Sequence, residues 1–403
     1  MPCYYGDPFT DPSVIQAYAE NAYRSGVNWT YGRADCQLAR MLLPRGHKVV
    51  YAFGSQPFEV GPQTQELLKN QPDLQALWFD GKRRPNVACP TWFLGPDGAA
   101  AREELQQRVT APLAGGLYAG FDWDIEQPVV DPPSFCVCQR CIEAFRKSAG
   151  IAADAELTPE ALLKPPLRDQ WVQFRCAQNA ELVKLVAQWV KQAQPNIEFS
   201  VYSGYQSKWT MEHYGVDWRL LAPLLDAGMS GYGFSPEAEK ATMEALGGKP
   251  YLAGELYYLS PTSDEQPAPV PDTWAVRILR QVAYTGGHGV VIWYLPVFDG
   301  ATFYLTSLAA DVIARHEPFF TQGQHCEDQF TVDGLEQGSW FALQWKRQAL
   351  VLLLNFTAQD VEVKLRSYRW QIPATVRVPA YRPATVIADP RPAGEEPHPP
   401  GNG

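Results

Sequence analysis

Two groups of residues in this sequence are of types and spacing that could do chemistry. The first lies in Ala119-Gly120-Phe121-Asp122-Trp123-Asp124-Ile125-Glu126-Gln127-Pro128, where acids recur at every second position. In a strand, side chains alternate, so Asp122, Asp124 and Glu126 share one face. A row of carboxylates on a buried face is costly unless it is neutralised, paired or put to use. Asp122 reads as a member of a hydrogen-bond network, and Glu126, last in the row, as a group that moves a proton. A further acid, Glu255, stands alone in the apolar run Tyr251-Leu252-Ala253-Gly254-Glu255-Leu256-Tyr257-Tyr258. Two carboxyls flanking a glycosidic bond can hydrolyse it. About 5 Å between them predicts retention of configuration and a wider gap predicts inversion. The alternative for Glu255 is a salt-bridged residue of the fold.

The second group is Cys136-Val137-Cys138-Gln139-Arg140-Cys141, which holds three of the chain's 8 cysteines. Such crowding suits mutual disulfides poorly and suits thiolates converging on one Zn²⁺ well. A fourth ligand is then required. Cys89, before Pro90, is the first choice and Cys176 the spare. With four protein ligands the zinc is structural, because no position stays open for a substrate. Cys3, Cys36, Cys176 and Cys326 are left free or paired. Around the carboxylates, Tyr31, Phe53, Trp123, Tyr202, Tyr232, Tyr257 and Trp293 supply faces that stack on sugar rings, with polar tips that reach hydroxyls. Asp124, Trp123, Tyr202, Tyr232, Tyr257 and Trp293 are the candidate substrate-binding residues, with Trp293 the floor beneath the cleaved sugar.

The elements that must position these residues alternate between strand and helix over the first 320 or so positions. Eight short apolar runs are expected strands: 3–6, 28–31, 48–54, 119–126, 198–204, 228–234, 250–258 and 289–295. Several are continuously apolar, as strands of a parallel sheet buried on both faces are. Helical spacing fills the intervals, as in 169–194, 218–227 and 272–284. Eight strand–helix units describe an α/β (β/α)₈ TIM barrel, and Glu126 and Glu255 would end strands four and seven at its C-terminal mouth. A doubly wound sheet is disfavoured, because Gly6-Asp7-Pro8 is not a Gly-rich phosphate turn. Beyond Ile313 the pattern changes to short strands and turns, giving a small all-β sandwich. The expected division is 1–322 barrel, 323–390 sandwich and 391–403 disordered tail.

Composition narrows the function classes. With 34 Lys+Arg against 44 Asp+Glu the chain is acidic, at a net charge of −10, which disfavours nucleic acid as a partner. No run of about 18 apolar residues exists to span a membrane. The opening Met1-Pro2-Cys3 carries no signal-peptide pattern. A cytoplasmic protein is expected if the chain is complete, and a secreted or periplasmic one if a leader has been trimmed. The expected partner is a saccharide or glycoside, and a homo-oligomer is compatible with the sequence.

Glu126, followed by Cys-x-Cys-x-x-Cys at 136–141 and Ile142-Glu143-Ala144-Phe145-Arg146, with Cys89-Pro90 upstream, resembles the glycoside hydrolase family 42 β-galactosidases. The resemblance implies Glu126 as acid/base, Glu255 as nucleophile, and Cys89, Cys136, Cys138 and Cys141 as zinc ligands. The chain departs from that family in having Ile125 where an Asn precedes the acid/base, and in lacking a larger middle domain. As an acid, Glu126 needs a raised pKa, from Asp124 or from burial beside Trp123. As a nucleophile, Glu255 needs a nearby cation or tyrosine hydroxyl, with Tyr232 the candidate. Asp122-x-Asp124-x-Glu126 followed by Pro128 also resembles the signature of family 18 chitinases. That resemblance implies Glu126 as sole acid, with the substrate's N-acetyl group as nucleophile. A non-catalytic carbohydrate-binding barrel is the remaining alternative.

Overall fold

The computed structural model describes residues 11–32, 36–126, 136–256, 270–293 and 298–392, with the side chains of Tyr31 and Trp293 left out. In chain order its first strands are β1 (Trp29–Gly32), β2 (Lys48–Phe53), β3 (Gln75–Leu77), β4 (Arg83–Ala88), β5 (Gly120–Asp124), β6 (Glu198–Ser203), β7 (Ala227–Ser230), β8 (Tyr251–Leu256) and β9 (Val290–Trp293). Seven of them form one parallel sheet in the order β1-β2-β5-β6-β7-β8-β9. Sequential strands are spatial neighbours throughout, and the sheet curls as a TIM barrel does. The expected first strand, 3–6, lies outside the described residues.

The alternation of side chains defines the two faces. Val50, Tyr202, Met229, Val291 and Leu252 meet in a cluster inside the curl. Their strand neighbours Val49, Phe121, Phe199, Val201, Ala253 and Ile292 belong to the large core between sheet and helices. Burial on both faces is why these segments read as unbroken apolar runs. β7 ends sooner than its sequence suggests. Gly231 and Gly233 adopt φ of 77° and 114°, a left-handed backbone that ends the strand after Ser230.

One element was not legible as a strand pair. β3 and β4 form an antiparallel hairpin between β2 and β5. β4 reads Arg83-Arg84-Pro85-Asn86-Val87-Ala88, too polar to show an apolar run, yet it delivers Cys89 to a fixed place.

The C-terminal part is the expected sandwich. Five antiparallel strands, including Trp340–Trp345, Gln348–Leu354 and Pro383–Pro390, face a three-stranded sheet of Thr331–Asp333, Val361–Arg366 and Thr375–Val378. Gln348–Leu354 is fully apolar after its first residue because both of its faces are covered. Leu350, Leu352 and Leu354 join the barrel's core, while Ala349, Val351 and Leu353 pack inside the sandwich. The helix Trp274–Tyr284 is caught between barrel and sandwich and is buried on almost every side. Of the expected tail, residues 393–403 lie outside the described residues.

Candidate active site and cysteine cluster

β5 presents Asp122, Asp124 and, just past its end, Glu126 on the face opposite Phe121, Trp123 and Ile125, which sit in the outer core. Asp122 is fully buried and accepts a 2.5 Å hydrogen bond from Ser200 Oγ, its register partner on β6. One rung higher, Asp124 has a buried Oδ1 with no hydrogen-bond partner among the described residues, and burial pushes its pKa up to about 6. Glu126 Oε2 accepts a 2.8 Å hydrogen bond from the Tyr232 hydroxyl. Burial, then the neighbouring Asp124 charge, push Glu126 up to about 7, with Tyr232 pulling the other way. A carboxyl poised there keeps its proton at neutral pH and can also give it up, as a general acid/base must.

The same shifts have a consequence for stability. Both folded-state pKa values are raised, so the stabilisation linked to them is present below the ordinary carboxylate range and is lost as pH rises through about 6 and 7. The melting temperature is expected to fall across that window, and Glu126→Gln to flatten the fall. The same slope in the variant would count against a raised Glu126 pKa.

Tyr202 lies in the lumen with its hydroxyl donating to Gly231 O at 2.7 Å, its ring centroid 5.5 Å from that of Tyr232. Gly231 thus turns the chain so that Tyr232 reaches Glu126. A Cβ at Gly231 would stand 1.9 Å from the Tyr205 ring, so no larger residue fits. Two expectations for this region are corrected. Trp123 does not face substrate: it is 1% exposed on the outer face, with its indole N–H donating to Ser55 O at 2.7 Å. Tyr232 serves Glu126 and makes no hydrogen bond to Glu255. Tyr257 and the Trp293 side chain lie outside the described residues.

Glu255 is placed differently from the expectation that it meets Glu126 across the mouth. On β8, Tyr251 and Ala253 face the outer core and Leu252 the lumen. A Cβ added to Gly254 would meet Gly231 O and the Tyr202 hydroxyl, which confirms the lumen side. Glu255 therefore points away from the lumen, towards the helix Trp274–Tyr284. It is fully buried there, ion-paired with Arg277, with Gln281 Nε2 at 3.4 Å. The cation expected beside it is Arg277. Burial nevertheless raises the Glu255 pKa, with Arg277 and Gln281 only partly offsetting it.

The four cysteines Cys89, Cys136, Cys138 and Cys141 are all buried, with sulfurs within 4.8 Å of one another. Cys89 Sγ lies 3.5 Å from Cys138 Sγ and 3.4 Å from Cys141 Sγ. Those separations are far too long for a disulfide. They are close to the edge of about 3.8 Å that a tetrahedron of metal–sulfur bonds near 2.3 Å would have. The Thr91 hydroxyl donates to Cys141 Sγ at 3.3 Å and the Leu77 N–H to Cys136 Sγ at 3.5 Å. The cluster could hold a metal ion. The spare ligand, Cys176, is elsewhere, its thiol 3.7 Å from Met211 O.

Sequence reading missed the helix Lys208–Tyr214, which follows β6 at the same end of the barrel. Burial, then the charges of Glu126 and Asp124, raise the Tyr214 pKa to about 12, which puts its ring within electrostatic reach of both acids. The signal was a set of aromatics at positions 209, 213 and 214, one turn apart. A separate cavity of about 510 Å³, lined by Trp29, Gly120, Glu198, Ala227 and Leu252 among others, opens where the strands begin. It is at the wrong end of the barrel for these acids.

No family model matches this chain, and no curated protein does either. Among solved structures it is similar to a β-galactosidase from Rahnella sp. R3, with a TM-score of 0.66 at 10% identity over 96% of this chain and 98% of that one. It is also similar to a GH42 β-galactosidase from G. stearothermophilus, with a TM-score of 0.61 at 11% identity over 97% and 98%. The catalytic domain of a Paenibacillus polymyxa β-amylase follows, with a TM-score of 0.54 at 9% identity over 78% of this chain and 97% of that one. Against a Marinomonas ef1 β-galactosidase, with a TM-score of 0.55 at 10% identity, 78% of this chain spans 59% of the other. At these identities the likeness is one of fold: a GH42-like TIM barrel followed by a β domain.

Proposed function

We propose that this protein is a glycoside hydrolase in which Glu126 is the acid/base. The observation that carries this is the placement of Glu126 at the top of a lumen-facing acid row, hydrogen-bonded by Tyr232 where burial raises its pKa to about 7. That proton would go to the leaving-group oxygen, and Glu126 would then take one from the incoming water. The similar folds of β-galactosidases and a β-amylase support a saccharide as substrate. Galactose is one candidate sugar among others, because Ile125 is only 1% exposed on the outer face and cannot meet a hydroxyl.

Two routes complete the reaction. In the first, Glu255 is the nucleophile of a retaining two-carboxylate mechanism, which requires its carboxylate to leave Arg277 and turn into the lumen. In the second, a substrate N-acetyl group attacks, and Asp124 orients it. The stacking of Asp122, Asp124 and Glu126 on one face, with Glu255 on the other side of its own strand, favours this second route. Glu255→Gln separates them on a panel of aryl glycosides with and without N-acetyl groups. Loss of all turnover supports the nucleophile. Turnover retained on N-acetylated substrates supports the second route. Either way the variant weakens a buried ion pair, and its melting temperature is expected to drop by several degrees. No turnover by the wild type, with saccharide binding retained, would leave a carbohydrate-binding barrel.

We further propose that the four thiols hold one Zn²⁺. The group would supply a cross-link and no open coordination position. Cys89 would contribute from the end of the β3–β4 hairpin, and Cys136, Cys138 and Cys141 from the start of the helix Gln139–Ser148.

A further inference from the structure

Trp209 is 56% exposed, in a protein that fully buries Trp123, Trp171, Trp218, Trp274 and Trp370. It is no loose surface residue. Its ring lies on that of His213, one turn along the helix, at 4.5 Å and 23°, and meets Tyr214 edge-on at 5.2 Å. The helix bearing them is fixed at both ends. Ser207 caps its first turn, accepting from Thr210 N at 3.1 Å. At the other end Asn179 Nδ2 donates to the carbonyls of Tyr214 and Gly215 at 3.2 and 3.1 Å. The loop from β6 is held as well, with the Trp218 indole N–H on Gly204 O at 2.8 Å. An exposed indole held this firmly has already lost the rotamer freedom that binding would otherwise take from it.

We propose that Trp209, backed by His213 and Tyr214, is a stacking platform for the leaving-group sugar of an oligosaccharide substrate. The proposal rests on Glu126 being the proton donor, because that role decides which sugar comes here. A general acid sits beside the leaving-group oxygen, so the departing ring lies on the acid's side of the cleaved bond. β5 and β6 are adjacent strands, so the helix after β6 flanks Glu126 on the rim. The lumen, with Asp124 and Tyr202, is left for the ring that keeps its anomeric carbon. A sugar's apolar C–H face on an indole buries area without asking for a particular hydroxyl pattern. The platform therefore favours a ring over a small leaving group and tolerates several sugars.

The test compares two leaving groups on one glycone. Lactose, cellobiose and chitobiose are assayed beside the corresponding glycosyl fluorides, whose fluoride is too small to touch Trp209. For whichever disaccharide the wild type cleaves, Trp209→Ala is expected to lose about tenfold more kcat/KM on the disaccharide than on its fluoride. The loss should sit mainly in KM, and Trp209→Phe should restore most of it. Equal losses on both substrates, with the melting temperature unchanged, would overturn the platform. If the wild type cleaves none of these substrates, the aryl-glycoside panel tests the hydrolase reading separately, and calorimetry with the same disaccharides decides for the platform. Weaker binding by Trp209→Ala upholds it as a sugar site, and equal or absent binding in both proteins overturns it.

Discussion

Glu126→Ala is expected to lower kcat/KM on a disaccharide by roughly 10²–10⁴-fold, the usual worth of a positioned proton donor. The loss should be much smaller for a dinitrophenyl glycoside, whose leaving group departs without a proton. Added azide should restore turnover on that substrate, because a small anion can enter the space that the carboxylate vacates and attack without base assistance. The product should be a glycosyl azide of retained configuration, since a first displacement has already inverted the anomeric carbon once. In the wild type, the alkaline limb of the kcat/KM profile should report a group near 7, where burial and Asp124 place Glu126. It should disappear in Glu126→Ala on the activated substrate. Azide product of inverted configuration, or inverting hydrolysis by the wild type followed by NMR, would show that Glu126 does not have this role.

The parts of this site that the sequence made legible are those set by chain-local rules. Alternation along a strand put Asp122, Asp124 and Glu126 on one face, and the structure has them there. Crowding of thiols at 136–141 announced a cluster, and Cys89 joins it. What local rules could not supply was the absolute face of each strand. Trp123 alternates with the acids and so had to point outward, yet its aromatic character alone made it look like a ligand-binding residue. Glu255 is the reverse case. A lone acid in an apolar run could face either way, and only the helix bearing Arg277 and Gln281, some 20 residues on, decides it. β3 and β4 were invisible because a short polar hairpin pairs with itself and leaves no apolar periodicity. The aromatic helix at 208–214 was missed because its meaning depends on a neighbour, Glu126, more than 80 residues away.

Purified protein is expected to contain one zinc per chain, and losing it should be the largest single stability change available to this fold. The four sulfurs join two pieces of chain far apart in sequence: the segment after β4, through Cys89, and the segment 136–141, ten residues beyond Glu126. Structural zinc contributes about 10–16 kcal/mol of binding free energy in small peptides. If only about 4 kcal/mol of that remains coupled to folding here, a domain of this size would lose roughly 5 °C of melting temperature. Cys138→Ser is therefore expected to lose most of its zinc and at least that much melting temperature. Because the thiolates must be deprotonated to bind, zinc should be retained at neutral pH and released on acidification. Four thiolate ligands would leave a zinc no open position, so a chelator should lower stability before it touches catalysis. Turnover by protein that has lost zinc but is still folded should stay close to that of the holoprotein. Cys138→Ser with unchanged metal content and melting temperature, or wild-type protein free of zinc by metal analysis, would refute the assignment. The cluster would then be four packed thiols, and its sulfurs, 3.4 to 3.5 Å apart at their closest described pairs, would have to be held there by the fold alone.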